Sequence, residues 1–165
     1  MVRLGLDQSL RCSGVSIVET LGQHQLVLYS GTIHTEKTLA DNYEDVFKRS
    51  MDITDAVSEL VDRYDVDEVY LEGLSFGSSG NATRDLAILL GMLVRSLKEN
   101  NVKVVVITPP ALKKFATGTG IADKEMMLAA VGAKDPAKME EFLKIPKTKG
   151  RYDLADAYWL SFYKG

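Results

Sequence analysis

The sequence predicts an α/β fold in which a mixed sheet of about five strands is flanked by helices on both faces. Short apolar runs suit buried strands, amphipathic stretches suit helices, and the order is three strands, then helix-strand-helix-strand, then helices. Of 165 residues, 45% are hydrophobic and 26% charged, as in a globular protein that buries a core. No repeat or linker is visible, so residues 1–165 are expected to form one domain.

The first third of the chain predicts an antiparallel meander. Val2–Asp7 is a short apolar run that ends on an acid, as a buried strand would. Gly14–Glu19 is rich in β-branched residues, and Gln25–His34 follows a turn at Leu21-Gly22-Gln23. Three consecutive strands joined by short turns are therefore expected.

The middle of the chain alternates helices and strands. Helical stripes of apolar residues run from about Asp41 to Tyr64 and over Thr83–Glu99. Glu68–Glu72 and Lys103–Ile107 are short apolar strands, and Gly73–Asn81 is a Gly- and Ser-rich loop. This order suggests a ribonuclease H-like fold.

The last third is predicted to be mainly helical. A short helix to about Ala116 is followed by a glycine loop, Gly118–Ala122, and by a helix that Asp123 caps. Gly132–Arg151 carries two prolines and several lysines, and we expect it to be loosely ordered. Asp153–Tyr163 is predicted to form the final helix.

Composition limits the kinds of site the chain can build. One cysteine, Cys12, and two histidines, His24 and His34, argue against a disulfide framework and against a zinc site built on Cys or His. A metal would therefore need carboxylate ligands, which favours Mg²⁺ or Mn²⁺. Since no apolar run reaches membrane-spanning length and the N-terminus lacks a signal-peptide pattern, we expect a cytoplasmic protein without a membrane partner.

Charge is distributed unevenly along the chain. The net charge is −3, but residues 1–99 carry a balance of −7 and residues 100–165 a balance of +4. Ten cations lie between Lys103 and Arg151. Such a region can form a basic face that binds phosphates despite the negative total, or a merely solvated lysine-rich surface.

Four acids carry the strongest functional signal. Asp7 and Glu72 each end an apolar strand, which directs them to the carboxyl edge of the sheet, where open α/β sheets bind ligands. Asp153 and Asp156 lie three apart and so share one face of a helix. Two divalent cations would relieve the repulsion among converging carboxylates and can hydrolyse a phosphodiester.

Each acid also has a structural interpretation. Asp7 could be a turn residue at the end of its strand, Glu72 could be exposed to solvent, and Asp153 could cap the last helix. Taken one at a time these explanations are favoured. The four positions together favour a metal site.

Motifs along nearly the whole chain resemble those of RuvC Holliday junction resolvases. Gly5-Leu6-Asp7 with Ser13-Gly14 resembles the opening of that family, and Tyr70-Leu71-Glu72 its second acidic motif. The most specific matches are the glycine loop 117–124, which reads Thr-Gly-Thr-Gly-Ile-Ala-Asp-Lys, and the closing Asp-x-x-Asp-Ala at 153–157.

The resemblance implies a homodimeric, Mg²⁺-dependent endonuclease that cuts opposed strands of a four-way DNA junction, with two ions per active site. It places the metal ligands at Asp7, Glu72, Asp153 and Asp156. It also implies two catalytic lysines, Lys113 and Lys124, with Lys114 as an alternative to Lys113. An aromatic residue that stacks on a base corresponds to Phe76, which lies one position later than in the family pattern and could instead fold back into the core under its loop. Arg84 and Arg151 are further candidate DNA contacts.

One departure from the family pattern leaves the substrate range open. Gln8-Ser9 stands where the family has Pro-Gly, so forks and flaps are possible substrates besides four-way junctions. The helix Thr83–Glu99 is predicted to hold the dimer, because its apolar stripe is wider than one core face requires; the alternative is a helix packed wholly on its own sheet.

Two other classes of protein remain as alternatives. One is a noncatalytic relative that binds branched DNA, which the complete set of acids disfavours. The other is an actin-like or sugar-kinase-like phosphate-binding protein, but the second phosphate loop that those longer proteins need is missing from the sequence.

Overall fold

The computed structural model describes residues 1–74 and 80–164, and it contains the predicted mixed sheet. The strands stand in the order β3-β2-β1-β4-β5. The first three are antiparallel neighbours, whereas β4 and β5 run parallel to β1. Their bounds are Val2–Asp7 for β1, Cys12–Leu21 for β2, His24–His34 for β3, Glu68–Glu72 for β4 and Lys103–Ile107 for β5.

Helices cover both faces of the sheet, as predicted. Helices α1 (Asn42–Tyr64) and α2 (Asn81–Glu99) pack on one face. The other face carries four helices and a short 3₁₀ turn at Lys147–Lys149: α3 (Pro109–Thr117), α4 (Lys124–Lys134), α5 (Pro136–Leu143) and α6 (Arg151–Phe162). No helix in the described ranges is long and apolar enough to cross a membrane.

The α1–α2 layer follows from caps and apolar stripes. The side chain of Asp41 accepts hydrogen bonds from the amides of Tyr43 and Glu44 at 2.9 and 3.2 Å, which fixes where α1 begins. On α2, Leu89, Leu93 and Leu97 are buried against the sheet. Leu90 and Val94 are half-buried and also pack against this core, so most of the apolar stripe that predicted a dimer helix is used within the protomer.

Helix α6 lies directly on β1 and β2 because small residues lie beneath it. A Cβ atom at Gly5 would stand 2.9 Å from the Leu160 Cβ and overlap the backbone of Ala157. The Ser16 and Ser161 hydroxyls are 3.2 Å apart across the same contact. This close approach sets the position of the N-terminal half of α6, which carries two of the four acids.

The prediction that Gly132–Arg151 is loosely ordered is wrong. Helix α4 continues to Lys134, and α5 starts at once, with Asp135 accepting a bond from the Lys138 amide at 3.1 Å and Pro136 in the first helical position. Proline is favourable there because that position needs no amide donor. Phe142 anchors α5 in the core, 6.3 Å from the Tyr158 ring.

Candidate active site

Neighbouring strands bring Asp7 and Glu72 together. Strands β1 and β4 are parallel, and Leu6 pairs with Leu71, so the two acids follow at the same edge of the sheet. Side chains alternate between the faces of a strand, and Gly5, two residues before Asp7, faces α6. Asp7 therefore points to the α6 side of the sheet, as Glu72 does from β4.

The first turns of α6 bring the other two acids to this edge. A Cβ atom at Gly14 would overlap the carbonyl group of Asp153, so only glycine lets β2 approach the helix this closely. Asp7 pairs with Gly14 across β1 and β2, which places Asp153 beside the end of β1. Asp156 follows one turn later on α6. Gly150 is the N-cap of α6, so Asp153 does not cap it.

Electrostatics show that the four carboxyl groups share one site. Burial raises the pKa of Asp7 well above its usual range, and the charges of Glu72, Asp156 and Asp153 raise it further. Burial followed by the charges of Glu72 and Asp153 raises the pKa of Asp156 to about 7. Burial also raises the pKa of Glu72 and of Asp153. Without a cation, the site therefore holds protons that free carboxylates would release.

Two of the three candidate lysines face these acids. Lys113 on α3 lowers the pKa of Glu72 and of Asp156 through its charge. Lys124, at the start of α4, lowers the pKa of all four acids. Lys113 is half-buried, whereas Lys114, the next residue, is exposed. The geometry therefore favours Lys113 over Lys114 as the partner of Lys124.

The donor set fits a hard divalent cation, although the described residues form no ready-made cage. No group of three or more His, Cys, Asp or Glu side chains within 1–74 and 80–164 is arranged as a preformed metal site. The acids are nonetheless close enough to raise one another's pKa, and their oxygen atoms are the ligands that Mg²⁺ and Mn²⁺ prefer. Cation binding would have to draw the carboxylates closer together.

Gln8 links the two strand ends that carry Asp7 and Glu72. Its amide group donates a 2.5 Å hydrogen bond to the backbone carbonyl of Glu72, and only 6% of the residue is exposed. A proline at this position, as in the family pattern, could not make that bond. The Gln8 side-chain oxygen is buried without a hydrogen-bond partner in the described structure. The departure noted in the sequence therefore has a structural role at the site.

A thiol and an imidazole border the site on the β2–β3 side. Burial, followed by the charge of Asp153, raises the pKa of Cys12 to about 11, so the thiol stays protonated. Its sulfur lies 3.8 Å from the His34 Nε2 atom, which is 2.9 Å from the Thr32 hydroxyl. The sequence interpretation used these residues only to exclude zinc and missed their contact with the acidic centre.

The other predicted DNA contacts have differing surroundings. Arg84 forms a 2.7 Å ion pair with Asp85, and its guanidinium lies 4.9 Å from the centre of the Tyr43 ring. Arg151 donates to the carbonyls of Leu143 and Ile145 at 2.9 and 2.8 Å, so it fixes the end of α5. Phe76 lies outside the described residues. Its stacking role stays a prediction, as do the DNA contacts of both arginines.

Tyr152 is a further residue that the sequence interpretation missed. Its ring lies 5.7 Å from the Lys124 Nζ atom and 5.6 Å from the Lys147 Nζ atom. Lys147 in turn pairs with Glu125 at 2.7 Å. Because an aromatic face attracts cations, Tyr152 helps to hold Lys124 beside Asp153. No local pattern predicts such a contact, since Tyr152, Lys124 and Lys147 lie in three separate elements.

Comparison with known proteins identifies relatives of this chain. The sequence profile of the family described as "Crossover junction endodeoxyribonuclease RuvC" matches residues 3–161. A protein of that name from Shewanella sp. (strain ANA-3) is 28% identical over 154 residues, which are 93% of this chain and 80% of the relative. A protein of the same name from Shewanella sediminis (strain HAW-EB3) is 27% identical over 154 residues, which again are 93% of this chain and 80% of the relative.

Solved structures share the fold. Thermus thermophilus RuvC aligns with a TM-score of 0.74 and 22% identity, over 98% of this chain and 91% of that chain. The fowlpox virus resolvase in complex with Holliday junction DNA aligns with a TM-score of 0.62 and 16% identity, over 98% and 95% of the two chains. The predicted ribonuclease H-like fold is thereby confirmed. Because the family profile spans nearly the whole chain, this protein belongs to the RuvC family of crossover junction endodeoxyribonucleases.

Proposed function

We propose that this chain is a single nuclease domain that resolves branched DNA, four-way junctions above all, by divalent-metal-dependent hydrolysis in opposed strands. The observation that carries the proposal is the convergence of Asp7, Glu72, Asp153 and Asp156, whose burial and mutual charge raise the pKa of Asp7 and Asp156, with Lys113 and Lys124 facing them. Membership in the RuvC family supports the same reaction.

The four carboxylates are proposed to hold two Mg²⁺ ions, with Mn²⁺ as an alternative. Bound ions would supply an activated water and charge stabilisation for the leaving oxygen. Asp7 and Glu72 are held by the sheet, and Asp153 and Asp156 by α6, so the ligand set is fixed by two rigid elements. Gln8 orients the end of β4 through the Glu72 carbonyl.

The lysines are proposed to act on the phosphate. The charge of each lysine lowers the pKa of Glu72 and Asp156, so each lysine is near enough to attract a phosphate bound above these acids. A cation in that place stabilises the charge that develops on the phosphate oxygens in the transition state. Tyr152 keeps Lys124 in position through its ring.

Cleavage of a synthetic four-way junction tests the proposal. The wild-type chain should release nicked duplex products in Mg²⁺ or Mn²⁺ and none in EDTA, and Glu72→Gln should bind the junction without cutting it. Parallel assays on forks and flaps show which branched DNA substrates the enzyme cleaves besides four-way junctions. Binding without cleavage under every metal condition would instead indicate the noncatalytic relative.

Adjacent lysines provide a matched pair of variants. We expect Lys113→Ala to lower kcat on the junction by roughly 10²-fold, the usual loss when one donor to a transition-state oxyanion is removed. Lys114→Ala should change kcat little, because Lys114 is exposed and is not among the charges that chiefly shift the pKa of the four acids. Single-turnover cleavage of both variants measures the difference, and equal losses would refute the assignment.

A homodimer is proposed, with an interface that combines α2 and an apolar stripe on α1. Tyr43, Phe47 and Met51 lie one turn apart on α1 and are 54%, 43% and 49% exposed. Arg84 of α2 covers the Tyr43 ring, so the stripe continues onto α2, where Leu86, Leu90 and Val94 are half-buried. An exposed apolar surface of this kind is typical of protein interfaces.

Charges placed in this stripe should separate the protomers. We expect Phe47→Glu with Met51→Glu to sediment as a monomer at micromolar concentration, where the wild type sediments as a dimer. Leu26→Glu is the control, because Leu26 is 58% exposed on β3, away from α1 and α2. A wild-type monomer would argue against a dimer and against paired incision.

The proposed nuclease would act in the cytoplasm, where the DNA of a bacterial or phage-infected cell is accessible.

A further inference from the structure

A second group of cations lies beside the acidic centre, near Asp153 and on the side away from Lys113. It surrounds an open cavity of about 350 Å³, which we call the Arg11 pocket; its lining residues are Arg11, His34, Thr35, Glu36, Lys37, Arg49 and Lys149. None of the predicted site residues is among its four cations, Arg11, Lys37, Arg49 and Lys149. The pocket is lined by four Arg and Lys side chains and by one acid, Glu36.

Arg49 builds the wall of the Arg11 pocket. It donates to the Thr35 hydroxyl at 2.8 Å and to the Leu10 carbonyl at 3.0 Å, and it pairs with buried Asp45 at 3.1 Å. These bonds tie α1 to the loop between β1 and β2 and to the end of β3. The charge of Arg49 is therefore balanced within the protein, and its role in the pocket is to fix the shape.

The remaining cations are free to bind an anion. Arg11, Lys37 and Lys149 are exposed. None of the three is within ion-pair distance of an acid in the part of the chain that the structure describes. Three unbalanced cations around one cavity suit a phosphate better than a neutral ligand.

Backbone contacts connect the pocket to the acidic centre. Gly150, which follows Lys149, approaches so closely that a Cβ atom there would stand 2.6 Å from the Cys12 sulfur and 3.5 Å from the Asp153 Oδ2 atom. Arg11 immediately precedes Cys12, and Cys12 pairs with His34 across β2 and β3. Arg11, His34 and Lys149 therefore border Asp153, while Lys113 acts mainly on Glu72 at the opposite side.

We propose that the Arg11 pocket is a second phosphate subsite, which holds a backbone phosphate of the cleaved strand next to the scissile bond. The proposal rests on the proposed nuclease function. Phosphates follow one another along a strand about every 3.4 Å of duplex axis, so a strand whose scissile phosphate lies over the acids carries another phosphate toward a neighbouring cavity. Arg11 and Lys149 bind it, and Arg49 keeps the pocket open.

The test combines a double variant with DNA that lacks single charges. Binding of a four-way junction is measured in Ca²⁺ over a salt series for wild type, for Arg11→Gln with Lys149→Gln, and for a control, Arg63→Gln with Lys98→Gln. The control removes one Arg and one Lys that are exposed at the C-terminal ends of α1 and α2. We expect the pocket variant to bind about tenfold or more weakly with a salt slope smaller by roughly 1–2, and the control to match wild type.

Neutral methylphosphonate linkages then locate the phosphate. Replacing one linkage within about three nucleotides of the cleavage site should weaken junction binding by the wild type about tenfold. The same replacement should not weaken binding by the pocket variant further, because the neutral linkage and the substitutions remove the same contact. Arg11→Lys with Lys149→Arg should restore binding, and melting curves show that each variant folds. Additive losses at every linkage, or an unaltered salt slope, would overturn the subsite. If the wild type neither binds nor cuts the junction, the proposed function itself fails.

Discussion

Asp156→Asn is expected to reduce junction cleavage by roughly a thousandfold or more while leaving junction binding intact. Asp156 is proposed as a metal ligand, and metal ions contribute several kcal/mol of transition-state stabilisation, at about 1.4 kcal/mol per tenfold in rate. Its surroundings are those of a cation site, because Glu72 and Asp153 raise its pKa together with burial. Single-turnover cleavage and binding in Ca²⁺ measure the two effects separately.

The same variant should be more stable than the wild type when no metal is present. The pKa of Asp156 rises from 3.8 to about 7 on folding, so between these values the folded state holds a proton that the unfolded state has lost. Stability from this group is therefore greatest at low pH and falls as the pH rises through about 7. Asparagine has no charge to bury, so the variant should gain about 1–2 kcal/mol at pH 8, an amount reduced by the partial exposure of the site.

Urea melts at pH 5 and pH 8, in EDTA and in Mg²⁺, test this linkage. In EDTA the wild type should lose stability between pH 5 and pH 8 by more than the variant does. Mg²⁺ should stabilise the wild type more, since the ions favour deprotonated carboxylates. Glu59→Gln, at an exposed acid on α1, is the control and should change neither the pH dependence nor the Mg²⁺ dependence of the stability. Equal pH dependence in wild type and Asp156→Asn would show that the carboxyl groups do not share one site.

Local pattern was sufficient to predict the sheet and the positions of the acids. Asp7 and Glu72 each follow an apolar run, and parallel pairing of β1 with β4 brings such strand ends together without further information. The bounds were less accurate: β2 begins at Cys12 rather than Gly14, and α2 at Asn81 rather than Thr83. Helix and strand ends depend on caps and pairing partners that a hydrophobic pattern does not contain.

Tertiary contacts explain what the sequence did not reveal. Pro136 is one of the two prolines for which Gly132–Arg151 was expected to be loosely ordered, but it is the first residue of α5 because Asp135 caps that helix. Phe142 is buried against the distant Tyr158 ring. Arg151 was named only as a candidate DNA contact, which stays a prediction, and its bonds to two backbone carbonyls were not foreseen. Side chains such as these acquire their roles from residues far away in the sequence, so no window along the chain contains the signal.

Gly14→Ala is expected to lower both stability and turnover, because Gly14 determines how closely β2 approaches α6. The added methyl group would overlap the Asp153 carbonyl, which is backbone and cannot rotate away. Gly14 lacks a positive φ angle, so the effect is steric and does not come from backbone strain. Overpacking of this kind costs about 1–3 kcal/mol, which a urea melt can measure.

The effect on turnover follows from the position of Asp153. Helix α6 must shift outward to accommodate the methyl group, and Asp153 moves with it while Asp7 stays on β1. A displacement of about 1 Å at a catalytic group can cost roughly 10²-fold in rate, so Gly14→Ala should lose activity beyond what its unfolded fraction explains. Gly91→Ala is the matched control, because a Cβ at Gly91 meets nothing within 4 Å. Alanine there should stabilise α2 by about 0.5–1 kcal/mol and leave cleavage unchanged. A Gly14→Ala protein that is destabilised yet cleaves normally per folded molecule would show that Asp153 tolerates the shift, and that the close contact of β2 with α6 serves packing alone.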